Sequence, residues 1–506
     1  MSVGAEKKKE YRDLLDLMRE ESVTQFSINR DVYAWFLSNV PPQIYRRLIN
    51  VNPPKHGFMK KIIFWIPRKI ILYPVVWIAV FLLWYREHEH WTASPTSEKE
   101  ILTGSVVWMQ YRCLIKHLTD DPIMAELRSC GMNVVEFPKQ NFSKCSLTWT
   151  LLSLPLEIDA AITRVQKLIK KTGMLSELKI DYSFILEKLI IAPKILALIS
   201  FTVLEAPFIR HLAGTGTIST LITRSGGVPI GSLIRGMRKQ QQEIYLTHIH
   251  IPHSSNVGDM HFSDADYFSD ILCARNYSQQ TDFLSLRVSS DLDTPMLGNL
   301  EGYYLAAQRA HIQREQIKII YILVGGAYLS DRSARELQLL SNVLETCRHF
   351  GETVVKAKNA DRWFALIRMV KKVGPAKAYS LYKHSKCVGI EELVRKAAIG
   401  IVVVNDKNYV SNIFDDLAYF NIPRIVYTEE EPNLLINKTP EILAHCVNAM
   451  TLQNAVRKII AYPTGSGSIE FPEESWNEKW QEAQDISPGL RLFEIIKARE
   501  VKFRPT

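Results

Sequence analysis

The chain has 506 residues, 47% hydrophobic and 23% charged, with 62 Lys and Arg against 53 Asp and Glu for a formal net charge of +9. That length exceeds a single hydrophobic core, and that composition excludes a largely disordered chain. The basic balance suits nucleic acid, anionic lipid or phosphorylated substrates, and the lack of a zinc-finger spacing, an RNA-recognition signature or a basic–aromatic repeat sets nucleic acid aside.

Seven cysteines lie scattered, odd in number and without a CxxC pair. This reads as reduced core thiols rather than a disulfide or metal framework. The charged start and the late onset of the first apolar run argue against a secretory signal peptide.

Residues 1–58 read as short helices. Tyr11, Leu14, Leu15 and Met18 recur at helical spacing, and Pro41-Pro42 and Pro53-Pro54 punctuate the segment. An apolar run follows over 62–85, interrupted by Arg68 and Lys69. Its unbroken part, from Ile70 to Tyr85, would reach about 24 Å as a helix, short of a roughly 30 Å hydrocarbon core. A span, a buried helix and an interfacial anchor all stay open. Trp65, Tyr73, Trp77, Trp84 and Tyr85 suit a headgroup layer, and the flanking Lys55, Lys60 and Lys61 suit anionic lipid.

From about residue 100 the pattern becomes strand–helix–strand. Ser105–Met109 is a strand, a helix runs through Ile123, Met124 and Leu127, and Asn133–Phe137 is the next strand. Residues 146–212 read as packed helices. Thr217–Ile222, the loop Arg224–Gly227, a helix over Val228–Gln240 and a strand over Glu243–Ile251 make a second such unit. Then Ile317–Val324 is a buried strand closed by Gly325 and Gly326. Asp331 would cap a helix whose Leu337, Leu340, Val343, Leu344 and Cys347 share a face. Strands over Thr353–Lys356, Gly400–Val404 and Arg424–Thr428 alternate with helices over Ile390–Ala398 and Ser411–Phe420. Such alternation predicts a doubly wound α/β domain. The C-terminal segment Trp476–Lys497 reads as an amphipathic helix.

Ligands of an open parallel sheet bind beyond the carboxyl ends of its strands, which selects the candidates. Gly325 and Gly326 would let the backbone approach a diphosphate, or simply make a turn. Ser411 and Asn412 open a predicted helix, whose free N–H groups can hold an anion or merely need a cap. Asp415 and Asp416 follow, either favouring the helix dipole or accepting from ribose hydroxyls. Lys356 and Lys358 end a strand and could meet a phosphate. His248, His250 and His253 cluster at and after the strand Glu243–Ile251, with His248 and His250 on one face. A general base, a clamp on the diphosphate and a purely structural role are the readings. A metal is not expected, because no cysteine or carboxylate stands at a convincing spacing. No GxGxxG follows a first strand, which argues against a nicotinamide cofactor.

In order, IYLTHIHIPHSS (244–255), DADYF (264–268), TVVKAKN (353–359) and SNIFDDLAYFNIPRIVYT (411–428) resemble segments of the glycosyltransferases of surface and capsular polysaccharide synthesis, including relatives that transfer glycerol phosphate from CDP-glycerol. Ser411, Asp416 and Pro423 fall where that family places its Ser, acidic residue and Pro. Asp416 stands for the usual Glu, Asn421 for the usual Gly and Lys358 for a common His. The resemblance implies an α/β fold of two Rossmann-like doubly wound domains, the GT-B type, with an N-terminal helical, membrane-associating extension. It implies a helical extension over 1–99, an acceptor domain over 100–290, a nucleotide-sugar domain over 291–470 and a segment over 471–506 docking back on the first domain. The implied reaction moves a sugar or polyol phosphate, without metal or cofactor, from a nucleotide-activated donor to a lipid-linked or oligosaccharide acceptor. The expected place is the cytoplasmic face of the cell membrane. A nucleotide-sugar epimerase on the same fold and a non-catalytic binding or assembly protein are the alternatives.

Overall fold

The computed structural model describes residues 5–23, 30–49, 68–91, 101–109, 122–137, 144–172, 194–224, 229–240, 244–252, 266–275, 277–286, 292–298, 319–323, 329–357, 363–403, 422–428, 444–446, 448–461 and 487–503. The chain divides into two compact units. One takes Ser2–Ser254, His261–Leu297 and Gly489–Thr506. The other takes Gly298–Pro488 with Met1 and Ser255–Met260.

The N-terminal unit begins with α1 (Ala5–Ser22), α2 (Arg30–Ile49) and α3 (Arg68–Trp91). Its five-stranded sheet consists of β1 (Ser105–Met109), β2 (Val134–Glu136), β3 (Ile218–Thr223), β4 (Thr247–His250) and β5 (Ile271–Leu272). All neighbours pair in parallel, in the order β2-β1-β3-β4-β5. Between the strands come α4 (Pro122–Ser129), α5 (Lys144–Leu152), α6 (Leu154–Lys171), α7 (Lys194–Ser200), a five-residue π-helical turn Phe201–Glu205, α8 (Ala206–Gly214) and α9 (Ile230–Gln240); α10 (Tyr277–Leu286) follows β5.

Alternation along the strands sends Val107, Met109, Leu221 and Leu272 to one face. There they join the core formed with Leu14 and Met18 of α1, Val32–Leu37 of α2 and Leu233 of α9. The first two helices are therefore core elements of this unit rather than short punctuated pieces. Helix α2 runs through Pro41 and Pro42, which lack the N–H donors of a regular turn. Buried Val32–Leu37, Val40 and Ile44 supply the packing that holds it. Residues 194–214 form the one described helical stretch long and apolar enough to cross a membrane, and half of its most apolar part is buried. Ile195, Leu198, Ile199, Phe201 and Ile209 place it in the same core.

The C-terminal unit has six parallel strands: β6 (Ile319–Leu323), β7 (Thr353–Ala357), β8 (Ser385–Cys387), β9 (Ala397–Val403), β10 (Arg424–Tyr427) and β11 (Ala444–Cys446). Their order is β11-β10-β9-β6-β7-β8. The described helices are α11 (Ala334–Cys347), α12 (Trp363–Val373), α13 (Pro375–His384), α14 (Ile390–Lys396) and α15 (Ala449–Ala461). Ile320, Ile322, Val355, Ile401 and Ile425 face α11 and α15, while Tyr321, Leu323, Val354, Val402 and Val426 are buried on the opposite face. Burial of both faces is what a parallel sheet with flanking helices requires.

Two boundaries differ from expectation. The cap of α11 is Ser333, not Asp331. Its side chain accepts from Glu336 N–H at 3.1 Å, and Glu336 accepts from Ser333 N–H at 2.9 Å, a complete capping box. Helix α14 ends at Lys396, and Ala397 and Ala398 open β9, drawn into the sheet by pairing with β6. The C-terminal helix α16 (Pro488–Phe503) begins later than Trp476; residues 476–486 lie outside the described ones. Gly489 N–H donates to Glu126 of α4 at 3.0 Å, which ties α16 to the N-terminal unit.

Each unit is thus a parallel sheet with flanking helices, a two-domain α/β organisation.

Candidate functional site

Strand order locates where each sheet can bind. In the N-terminal unit the chain passes from β1 outward to β2 and then returns to the other side of β1 with β3, so the switch point lies between β1 and β3. Trp108 and Met109 end β1, and Arg224 follows β3 directly. Register and alternation put Trp108, Ile222 and Arg224 on one face. The Arg224 guanidinium carbon lies 5.9 Å from the centroid of the Trp108 ring, and both residues are buried. Arg224 N–H donates to Met109 O at 3.3 Å, continuing the ladder past the strand. A cation held on an indole at a switch point is suited to an anionic group. Sequence reasoning took Arg224 only as the start of a loop; its signal was the placement of RSGG just after a strand.

The opposite face carries His248 and His250, beneath the layer of α1, α2 and α9. The structure brings these two together through Thr223, whose register partner is His250. Thr223 Oγ1 lies 2.9 Å from His248 Nε2 and 2.9 Å from His250 Nδ1. A hydroxyl has one proton to give, so one ring accepts it and the other ring donates to the oxygen. Both imidazoles are fully enclosed, at 1% and 0% exposure. Burial, with His250 and Arg238 nearby, holds the His248 imidazole down at about 3, against the pull of Asp270. His248 is therefore neutral at physiological pH.

Two carboxylates complete this cluster. Asp266 Oδ2 lies 4.0 Å from His248 Nδ1, an atom with no hydrogen-bond partner. Asp266 also caps α9, accepting from Gly231 N–H at 3.3 Å and from Phe268 N–H at 2.9 Å. Burial pushes its carboxyl up to about 7, although those two N–H groups and Arg19 favour the anion. Asp270 accepts both arms of the Arg238 guanidinium, at 2.6 and 2.7 Å, and His248 N–H at 2.8 Å. Burial opposes its ionisation, but Arg238 and His248 N–H overcome that and hold it below the ordinary carboxylate value. Asp266 lies in the quoted DADYF segment, but its partners Gly231 and His248 are far along the chain. Among the described residues, no group of three or more His, Cys, Asp and Glu could hold a metal ion.

In the C-terminal unit the switch point lies between β6 and β9, adjacent in the sheet but the first and fourth strands of the unit along the chain. Lys356, half-buried near the carboxyl end of β7, pairs in register with Leu323, the last residue of β6, and shares the face of Val354. Pro423 precedes β10 and its carbonyl accepts from Gly400 N–H at 2.9 Å. His253, Gly325, Gly326, Lys358, Ser411, Asn412, Asp415 and Asp416 lie outside the described residues.

No protein-family model matches the chain. No curated protein matches it either. Among solved structures, it is similar to the UDP-GlcNAc 2-epimerase from Methanocaldococcus jannaschii, at 10% identity over 78% of this chain and 99% of that one, with a TM-score of 0.42. It is similar to the UDP-GlcNAc 2-epimerase from Neisseria meningitidis bound to UDP-GlcNAc, at 12% identity over 79% and 100% of the two chains, with a TM-score of 0.39. A third, the S. aureus MnaA–UDP structure, is 9% identical over 79% and 99%, with a TM-score of 0.39.

Proposed function

We propose that this chain is a glycosyltransferase that moves a sugar or polyol phosphate from a nucleotide-activated donor to a lipid-linked or oligosaccharide acceptor. The observation that supports this best is the pair of parallel sheets in one chain, each with its own switch point. The segments singled out by sequence follow the two strands that flank the switch point of the C-terminal sheet. Gly325 and Gly326 come after β6, and Ser411, Asn412 and Asp416 come after β9.

In this reading the C-terminal unit takes the donor. Backbone N–H groups after β6, the N–H groups of the segment that the sequence predicts to open a helix at Ser411, and Lys356 neutralise the leaving diphosphate, and Asp416 accepts from the ribose. The N-terminal unit takes the acceptor, with Arg224 on Trp108 meeting an anionic group of it. The buried pair His248 and His250 fixes the ends of β3 and β4, which leaves His253 as base or clamp. An acceptor that is lipid-linked fits an enzyme working at the cytoplasmic membrane face.

A thermal-shift screen of CMP-, CDP-, UDP-, GDP- and dTDP-sugars tests this. Stabilisation by one nucleotide class, lost in Asp416→Ala, supports the reading; no shift with any of them counts against it. Donor turnover that needs no acceptor would favour epimerisation over transfer.

A further inference from the structure

Helix α3 presents two unlike faces. Leu72, Val76, Ala79 and Val80 are buried in the N-terminal core. On the other side Ile70, Trp77, Ile78, Phe81 and Leu82 stand 49–61% exposed, a continuous apolar stripe at helical spacing. Leu152 and Leu156, at the junction of α5 and α6, extend it with 59% and 43% exposure. Large apolar side chains grouped on two adjoining elements are not the scattered exposures of an ordinary surface.

Three features identify what covers this face. First, no charged residue occurs from Ile70 to Leu82, whereas Arg68 and Lys69 open the helix and Lys55, Lys60 and Lys61 precede it. An apolar stretch that follows a run of cations in the sequence is complementary to acyl chains below anionic headgroups. Second, the polar atoms of the stripe are already satisfied within the protein. Trp77 Nε1 donates to Leu151 O at 3.0 Å and Tyr73 Oη donates to Leu152 O at 3.1 Å. Those carbonyls belong to the last turn of α5, where no intrahelical donor remains, so both ends of each bond are removed from the need for water. Third, the buried face of α3 excludes lipid on that side.

We propose that this face docks on an anionic lipid surface, with α3 lying in the membrane plane and the exposed side chains of α3, Leu152 and Leu156 entering the acyl boundary. The helix does not cross the bilayer. This inference rests on α3, α5 and α6 alone and holds whatever reaction the chain performs.

Flotation of the full chain with phosphatidylcholine vesicles, with and without phosphatidylglycerol, tests it. The wild-type chain floats with the anionic vesicles. Two pairs of substitutions, Ile78→Ser with Phe81→Ser and Leu152→Ser with Leu156→Ser, each weaken binding roughly tenfold or more, since each removes two apolar side chains from the acyl boundary. Arg68→Gln with Lys69→Gln lowers only the gain from phosphatidylglycerol, about fivefold per charge. Leu102→Ser, at an exposed leucine off the stripe, changes nothing. Three outcomes overturn the proposal. One is a wild-type chain that stays at the bottom of the gradient with every vesicle. Another is flotation of both serine pairs like wild type. The third is a dimer, seen by sedimentation, that Phe81→Ser dissociates without any lipid binding, which assigns the face to a second copy of the chain.

Discussion

Substituting Asp266→Asn should change stability by an amount that depends on pH, with a sign fixed by the cluster. The folded-state carboxyl sits at about 7, above its ordinary 3.8, because burial disfavours the anion. A folded state that holds the proton more tightly than the unfolded state loses stability as pH rises between those two values. For a shift of that size, the loss between pH 5 and pH 8 is on the order of 3 kcal/mol. Asparagine carries no such term. It instead turns an amide N–H₂ or a single oxygen toward two backbone donors, Gly231 N–H and Phe268 N–H, so one of them goes unsatisfied. That costs about 1–3 kcal/mol at any pH. The variant should therefore be clearly less stable than wild type at pH 5 and equal or more stable at pH 8. Urea unfolding of both proteins across that range, read as the difference between them, isolates this group from other titrating residues. A difference that stays constant with pH would refute the assignment of a proton to buried Asp266 at neutral pH.

Further perturbations probe neighbouring features. His248 is shifted the other way, to about 3, so its neutral form stabilises the fold above the ordinary imidazole value of 6.5 and that stability is lost as pH falls toward 3. His248→Gln should flatten the acid side of the stability profile. Gly231→Ala would bring a methyl 2.5 Å from the Phe268 carbonyl carbon, so we expect a loss of about 2 kcal/mol or more, seen as a lower melting temperature. Ser333→Ala breaks the capping box of α11 and should cost about 1 kcal/mol in the C-terminal unit, measurable by urea denaturation. Arg238→Met leaves Asp270 without its bidentate partner. A loss of about 2 kcal/mol is expected, discounted for the 30% exposure of Arg238, and it should shrink as acid protonates Asp270.

Long apolar strands were legible in the sequence because burial on both faces leaves them no polar residues. Val106–Met109 of β1, Ile319–Leu323 of β6 and Ile399–Val403 of β9 are of this kind. Edge strand β2 was legible too, but the other three edge strands were not. Strand β8 reads Ser-Lys-Cys and β11 reads Ala-His-Cys, three residues each with no alternation to detect, and β5 is two residues long. These exist because a neighbouring strand offers unpaired backbone groups. The Pro41-Pro42 pair misled for a related reason: local propensity marks a break, but the apolar face of α2 overrides it. At the candidate site, alternation sufficed to place His248 and His250 on one face. Thr223 between them, Asp266 beside His248 and Trp108 beneath Arg224 are partners set by sheet order, which local sequence does not encode.

Hydrogen–deuterium exchange of the whole chain, with and without the nucleoside diphosphate selected by the thermal screen, tests the donor site most directly. Slowed exchange is expected in the peptides that follow Leu323 and Val403, after the two strands flanking the C-terminal switch point. Protection confined to the N-terminal unit, or none at a saturating nucleotide concentration, would contradict it.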